Sequence, residues 1–280
     1  MAFIPAGRKR VMSILLTNLR RFPELDEVQV WLNTHKQPDD DEWLLSLPDQ
    51  WDKIVLYELA DDVERRFPKQ LNTGYFYAVT QEDDTLYFRF DDDIVFVDDD
   101  YFANMVRYRL ENPAPPIVYG NIWNNAVCSY LHQQAGHIDR KHGVVERKFC
   151  MDPVGWQSGP FAKYIHGVLL DHIEAGTTRE LFLPHDPLPE VRFSISNFCF
   201  LGARMRDMVP RIPDEEIWLA ERYPLRVGQP NVICGDALVS HYSFFSQRSH
   251  LDATNILDRY REAAENRLSE MYYTLLGQAQ

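Results

Sequence analysis

Tyr87-Phe88-Arg89-Phe90-Asp91-Asp92-Asp93-Ile94-Val95-Phe96-Val97 sets three adjacent carboxylates between two apolar runs. Aromatic and β-branched residues dominate both runs, which read as β-strands. A strand of this kind is normally buried, and an ionised carboxylate that loses its hydration without a partner is expensive. The acids are therefore expected to surface at a cleft and hold a cation. Their hard oxygens suit Mg2+, Mn2+ or Ca2+ rather than Zn2+. Along an extended strand Asp91 and Asp93 would share a face and both point at one ion, while Asp92 would face away. An acidic β-turn in water is the competing reading, opposed by the apolar flanks.

Outward from this stretch, strands and helices alternate. Residues 2–5 read as a strand followed by a turn, and 9–21 as a helix with Val11, Ile14, Leu15 and Leu19 at helical spacing, ended by Pro23. Strands are expected at 28–32, 53–59 and 86–90, a short acidic helix at 39–47, and a helix at 67–80. The turn at Pro5 to Arg8, the Asn33-Thr34 pair and the acid triplet all fall at strand C-termini. That is where open α/β sheets bind ligands. Asp98-Asp99-Asp100 reads as the capped start of a helix over 101–110. Beyond the Pro113–Pro116 linker, a strand at 117–120 leads into an irregular stretch with a helix over 161–174. Strands at 191–201 and 237–241, a short helix at 214–221 and an amphipathic helix over 252–276 complete the chain.

The composition is that of a globular protein, with 45% hydrophobic and 13% aromatic residues in 280. No apolar run reaches the roughly 20 residues of a membrane span, and no signal-peptide core opens the chain, so a cytoplasmic location is expected. The four cysteines are scattered without a CxxC pair, which argues against structural zinc. A net charge of −13 argues against a groove for free nucleic acid.

In order and spacing these features resemble a GT-A fold glycosyltransferase of divergent type. The resemblance rests on Phe3-Ile4-Pro5-Ala6-Gly7-Arg8, on Asp91-Asp92-Asp93, on Asp214-Glu215-Glu216 ahead of Ile217-Trp218-Leu219, and on His241 within Gly235–Tyr242. It implies a single α/β domain with a Rossmann-like, mixed but mostly parallel sheet flanked by helices. Residues 1–112 would form a nucleotide-binding half, 113–250 a sugar and acceptor half, and 251–280 a terminal helix. It also implies a UDP- or GDP-sugar donor and Mn2+ or Mg2+ held by Asp91, Asp93 and His241. Pro5, Ala6, Gly7, Arg8, Asn33, Thr34, Asp91, Asp92 and Arg248 would contact the nucleotide. Asn33-Thr34 departs from the acidic cluster common in the largest inverting family, which puts the base contact there in question. Glu215 or Glu216 would be the general base of an inverting reaction on an acceptor hydroxyl, with Asp214 as a helix N-cap. Lys9 and Gln247 are further candidates for phosphate contact, and Trp156, Ser196 and Asn197 for the sugar pocket. Neither the acceptor nor the choice between inversion and retention is legible. The terminal helix is expected to pack on the body, with a homodimer contact as its alternative.

Three other readings compete. A nucleotidyltransferase would use the same acids on a nucleoside triphosphate. A non-catalytic nucleotide-sugar or carbohydrate-binding protein would keep the fold without turnover. A haloacid dehalogenase-type phosphatase is disfavoured, because its Asp-x-Asp ends the first strand and Asp91 follows ninety residues.

Overall fold

The computed structural model describes residues 1–34, 37–58, 77, 82–147, 150–188, 192–205 and 214–278. Among the described residues nine strands make one sheet: β1 (Ala2–Pro5), β2 (Val28–Trp31), β3 (Ile54–Tyr57), β4 (Leu86–Phe90), β5 (Ile94–Val97), β6 (Val118–Trp123), β7 (Asp186–Leu188), β8 (Asn197–Leu201) and β9 (Asn231–His241). Their order is β3-β2-β1-β4-β8-β6-β9-β5, with β7 also on β9. The principal helices are α1 (Lys9–Leu19), α2 (Tyr101–Glu111), α3 (Ala126–Ala135), α4 (Gly159–Ala175), α5 (Phe245–Asp252) and α6 (Ile256–Gln278).

The expected parallel sheet is found in the half β3-β2-β1-β4. The other half is mixed. β8 runs antiparallel to β4 and β6, and β5 and β7 run antiparallel to β9, while β6 and β9 are parallel. The sheet also curves. Only residues 91–93 separate β4 from β5, yet β5 pairs with the last residues of β9, several strands away in the hydrogen-bonded order.

Helix α1 joins the two cores. Met12, Leu15 and Leu19 pack into the larger cluster with Phe3, Val30 and Phe102, and Val11 and Ile14 into a second one with Phe96, Leu169 and Tyr260. Each buried apolar side chain contributes about 1.5–3 kcal/mol. Together they outweigh the ~1 kcal/mol forgone because Arg8, at the N-cap, makes no side-chain capping bond. The first amides are satisfied from outside, Arg8 N–H by Asp92 Oδ2 at 2.9 Å and Lys9 N–H by Asp40 Oδ2 at 2.9 Å.

Several elements differ from expectation. The strand expected over 191–201 is confined to Asn197–Leu201, and the last strand is longer, starting at Asn231. The helix at 67–80 lies outside the described residues except for Tyr77. Asp100 occupies the N-cap of α2 without a side-chain capping bond. The capping falls to Asp98, whose Oδ1 accepts the Asp100 amide at 3.1 Å; its other oxygen accepts from Thr178 at 2.6 Å, while Asp99 pairs with Arg267 at 2.8 Å and Asp100 with Arg179 at 2.6 Å around a cavity of about 730 Å³. The first half of α6 packs on the body through Ile256, Leu257, Tyr260 and Ala264. Among the described residues, no helix is long and apolar enough to cross a membrane.

Burial holds two histidines neutral. His166 lies between Tyr260 Oη and the Tyr242 carbonyl, each at 2.8 Å, and burial lowers its pKa to about 3. Burial, with His137 beside it, also lowers that of His132. The unfolded chain takes up these protons near pH 6.5, so their stabilisation is complete above that pH and is lost as pH falls from there towards 3. Urea unfolding from about pH 7 to pH 5 is expected to show stability falling by up to about 1.4 kcal/mol per pH unit for each group. His166→Gln is expected to make the decline shallower.

Candidate active site

β4 ends at Phe90 and β5 begins at Ile94, so the three acids form a turn rather than an extended strand. Neighbouring strands pin it. Asp91 N–H donates to the Ser196 carbonyl at 2.8 Å, and Tyr242 N–H donates to the Asp93 carbonyl at 2.8 Å. The Ile94–His241 pairing of β5 with β9 then sets the imidazole beside Asp93.

Each carboxylate meets a cation. Asp91 Oδ1 lies 2.9 Å from Arg89 Nη2. Asp92 accepts from the backbone amide of Arg8 and, at 3.1 Å, from its Nε. Asp93 lies 2.7 Å from Arg8 Nη2 and 3.3 Å from His241 Nε2. Asp92 thus turns towards the first βα turn, not away towards a sugar, because the chain reverses before strand alternation can continue. Its contact with that turn is close enough that a Cβ on Gly7 would overlap the Asp92 carboxylate.

These partners separate the acids electrostatically. Burial opposes ionisation of Asp93, but His241 and Arg8 outweigh it and hold the carboxyl well below its usual range. At Asp91 burial prevails over Arg89 and, with the Asp93 charge nearby, raises the pKa to about 6. Burial disfavours charged His241, yet Asp93 more than offsets this and keeps the imidazole protonated above its ordinary range. A pair of nearby acids with divergent protonation is an arrangement that enzymes use to divide roles.

The acids line a cavity of about 520 Å³ together with Arg8, Glu216, His241, Arg248, Trp156 and Ser196. A neighbouring cavity of about 300 Å³ shares Arg8, Asp91, Asp92 and Arg248, and adds Pro5, Ala6, Gly7 and Thr34. Arg248 thus stands between the two, and its Nε is buried with no hydrogen-bond partner among the described residues. Thr34 Oγ1 is engaged by the Ala6 carbonyl at 2.8 Å, which ties the ends of β1 and β2 together. Asn33 lines neither cavity.

The paired glutamates part company. Asp214 caps the helix start as expected, accepting from Ile217 N–H at 3.0 Å. Glu216 lines the larger cavity and is held 2.6 Å from Arg192 Nε. Glu215 points behind it, bonded by Tyr77 Oη and 3.5 Å from Arg89 Nε, and lines neither cavity. Three weaker expectations fail. Gln247 is fully buried and ties Asn124 to the Gly155 carbonyl. Asn197 is fully buried between Tyr101 Oη and the Arg89 carbonyl. Lys9 lies over the Trp43 ring, 5.9 Å from its centroid, and lines neither cavity.

Sequence reading missed Arg89 and Arg192. The signal for Arg89 was present, since a lone arginine inside the apolar run 86–90 shares a strand face with a residue two positions on, which is Asp91. Nothing local marked Arg192.

Asp91 and Asp93 line the same cavity as His241, and Asp93 Oδ1 lies 3.3 Å from His241 Nε2, but the donor atoms of the three do not all gather within 4.8 Å of one another. A hard ion shared by all three would need Asp91 to move towards the pair and would have to displace the proton on His241.

Gly7→Ala is expected to push Asp92 off Arg8 and to cost about 1–3 kcal/mol in denaturant unfolding. Adding Asp92→Gly should cost much less than the sum of the two single changes, because the carboxylate and the Cβ that collide with residue 7 are both gone. No protein-family model and no curated protein sequence matches this chain.

Proposed function

We propose that the protein is a metal-dependent glycosyltransferase that takes a nucleoside diphosphate sugar as donor. The observation that carries this reading is the acid triplet at the carboxyl end of the parallel strands, set beside His241 and walled by Arg8 and Arg248. The likeness of the ordered motifs to GT-A enzymes supports it. The two cavities joined at Arg248 match a ligand with two parts, a nucleoside and a sugar.

In this reading Pro5 to Arg8 and Thr34 border the nucleoside, and Arg8 and Arg248 supply donors to phosphate oxygens. A guanidinium suits that task because its planar fork makes charge-assisted bonds. Asp91, Asp93 and His241 would hold Mn2+ or Mg2+, which supplies neutralisation of the charge that develops on the departing diphosphate. Remaining carboxylate charge faces the positive character that grows on the sugar ring. Glu216, on the cavity wall, is the base for an acceptor hydroxyl in an inverting reaction, and Glu215 holds Arg89 from behind. Trp156 offers an apolar face at the acceptor side.

A thermal-shift screen of nucleoside diphosphates and their sugars, with and without Mn2+, tests the binding claim. Stabilisation by at least one nucleoside diphosphate that requires Mn2+, and that disappears in Asp93→Ala, is the expected result. Arg248→Ala should weaken that ligand by about 10–100-fold, the loss of one charge-assisted contact worth about 1.5–3 kcal/mol. No response to any nucleotide would sink the reading. Turnover of a nucleoside triphosphate with pyrophosphate release would replace it with the nucleotidyltransferase.

A further inference from the structure

Midway along β9, three side chains of ligating type converge outside the site described above. In the pairing of β6 with β9, Gly120 faces Cys234 but Asn121 faces Leu238, so residues 235–237 bulge out without partners on β6. The bulge brings Cys234 Sγ to 3.2 Å from Asp236 Oδ1. Residue 235 must be glycine here, because a Cβ would overlap the Leu183 carbonyl. That close approach brings in the 183–185 segment. His185 Nδ1 lies 3.9 Å from Asp236 Oδ1, and all three donor atoms fall within 4.8 Å of one another.

We infer that His185, Cys234 and Asp236 form a binding site for a zinc-type transition-metal ion, with a fourth position open to solvent or a small ligand. A tetrahedral ion with metal–ligand bonds of roughly 2.0–2.3 Å sets its ligands about 3.3–3.7 Å apart, which the 3.2 Å and 3.9 Å separations from Asp236 Oδ1 bracket. One nitrogen, one sulfur and one oxygen donor suit zinc and disfavour the Mg2+ or Mn2+ of an all-oxygen site.

Surrounding groups are arranged as ligand supports. Arg107 Nη2 holds the other oxygen of Asp236 at 2.8 Å, which leaves Oδ1 facing the sulfur. Asn104 Nδ2 fixes the Asp236 carbonyl at 2.7 Å. The Gly235 amide donates to His185 Nδ1 at 3.1 Å, so that nitrogen is unprotonated and aimed at the bulge; its single lone pair would pass from the amide to the ion on coordination, while the ring sits against Tyr108 at 4.5 Å between centroids. Partners of this kind orient metal ligands in known sites. On coordination the Cys234 thiol gives its proton to solvent, one proton per ion, and the thiolate takes its place in the metal shell. The ion would fasten the segment leading into β7 to β9.

Titration of the full chain with Co2+ as a spectroscopic stand-in tests the site. The expected result is near-ultraviolet thiolate-to-cobalt absorption that saturates at one equivalent and is abolished by Zn2+. Cys234→Ser should eliminate the band. His185→Ala, a change at a half-exposed side chain, should weaken binding at least about tenfold in a folded protein. Asp93→Ala should leave the band intact, which separates this site from the one proposed for the nucleotide. Absence of thiolate absorption in the unaltered protein, or its persistence in Cys234→Ser, overturns the inference.

Discussion

Three consecutive carboxylates at the end of a buried strand must each find a positive partner, and much of the architecture follows from meeting that demand. Breaking a buried ion pair by removing one partner costs several kcal/mol, because the remaining charge is stranded away from water. Arg8, Arg89 and His241 meet the three acids from three separate strands or their ends. The first βα turn, the middle of β4 and the end of β9 are thus locked to one short turn. Arg8 illustrates the coupling. Its amide and side chain both serve Asp92, so the start of α1 and the acid turn are a single ionic unit. Gly7 is the steric counterpart, the residue that lets the two backbones come that close.

Curvature of the sheet does the rest. A three-residue turn between β4 and β5 would ordinarily leave these strands side by side. Here β8, β6 and β9 lie between them in the hydrogen-bonded order, and the end of β9 receives β5. His241 becomes a neighbour of Asp93 for this reason and not through any proximity in the chain. The same strand carries the bulge at 235–237 midway along it, just past the residues that pair with β7. β9 is therefore the element along which both clusters are organised, Asp93 with His241 at its end and Cys234 with Asp236 along its length.

The charge balance inside the cavity differs from that of the whole molecule. The chain carries a net −13, yet at this site Arg8, Arg89, Arg192 and Arg248 stand among Asp91 to Asp93, Glu215 and Glu216. An anionic ligand entering such a nearly balanced cavity meets fixed donors at Arg8 and Arg248, and its added charge favours recruitment of a cation. Clustered arginines beside acidic walls show how a strongly acidic protein can hold a locally near-neutral cavity, since short-range pairing outweighs long-range charge within about a Debye length.

Local sequence alone determined the strand cores and the helices with strong periodicity. Val11, Ile14, Leu15 and Leu19 on α1, the run 86–90 and the helix after Asp100 follow from side-chain spacing and β propensity, which act over a few residues. It also marked the acid triplet as a place where burial and charge conflict. The polarity of β5, β7 and β8 was decided by tertiary structure, because antiparallel pairing across the sheet depends on partners from 43 to 147 residues away. So were the turn that redirects Asp92, the separation of Glu216 from Glu215, and the burial of Asn197 and Gln247. Polar side chains of this kind read alike in sequence whether they face a cavity or satisfy a buried carbonyl. Only the packed chain distinguishes the two, since it alone sets which hydrogen-bonding groups have been cut off from water.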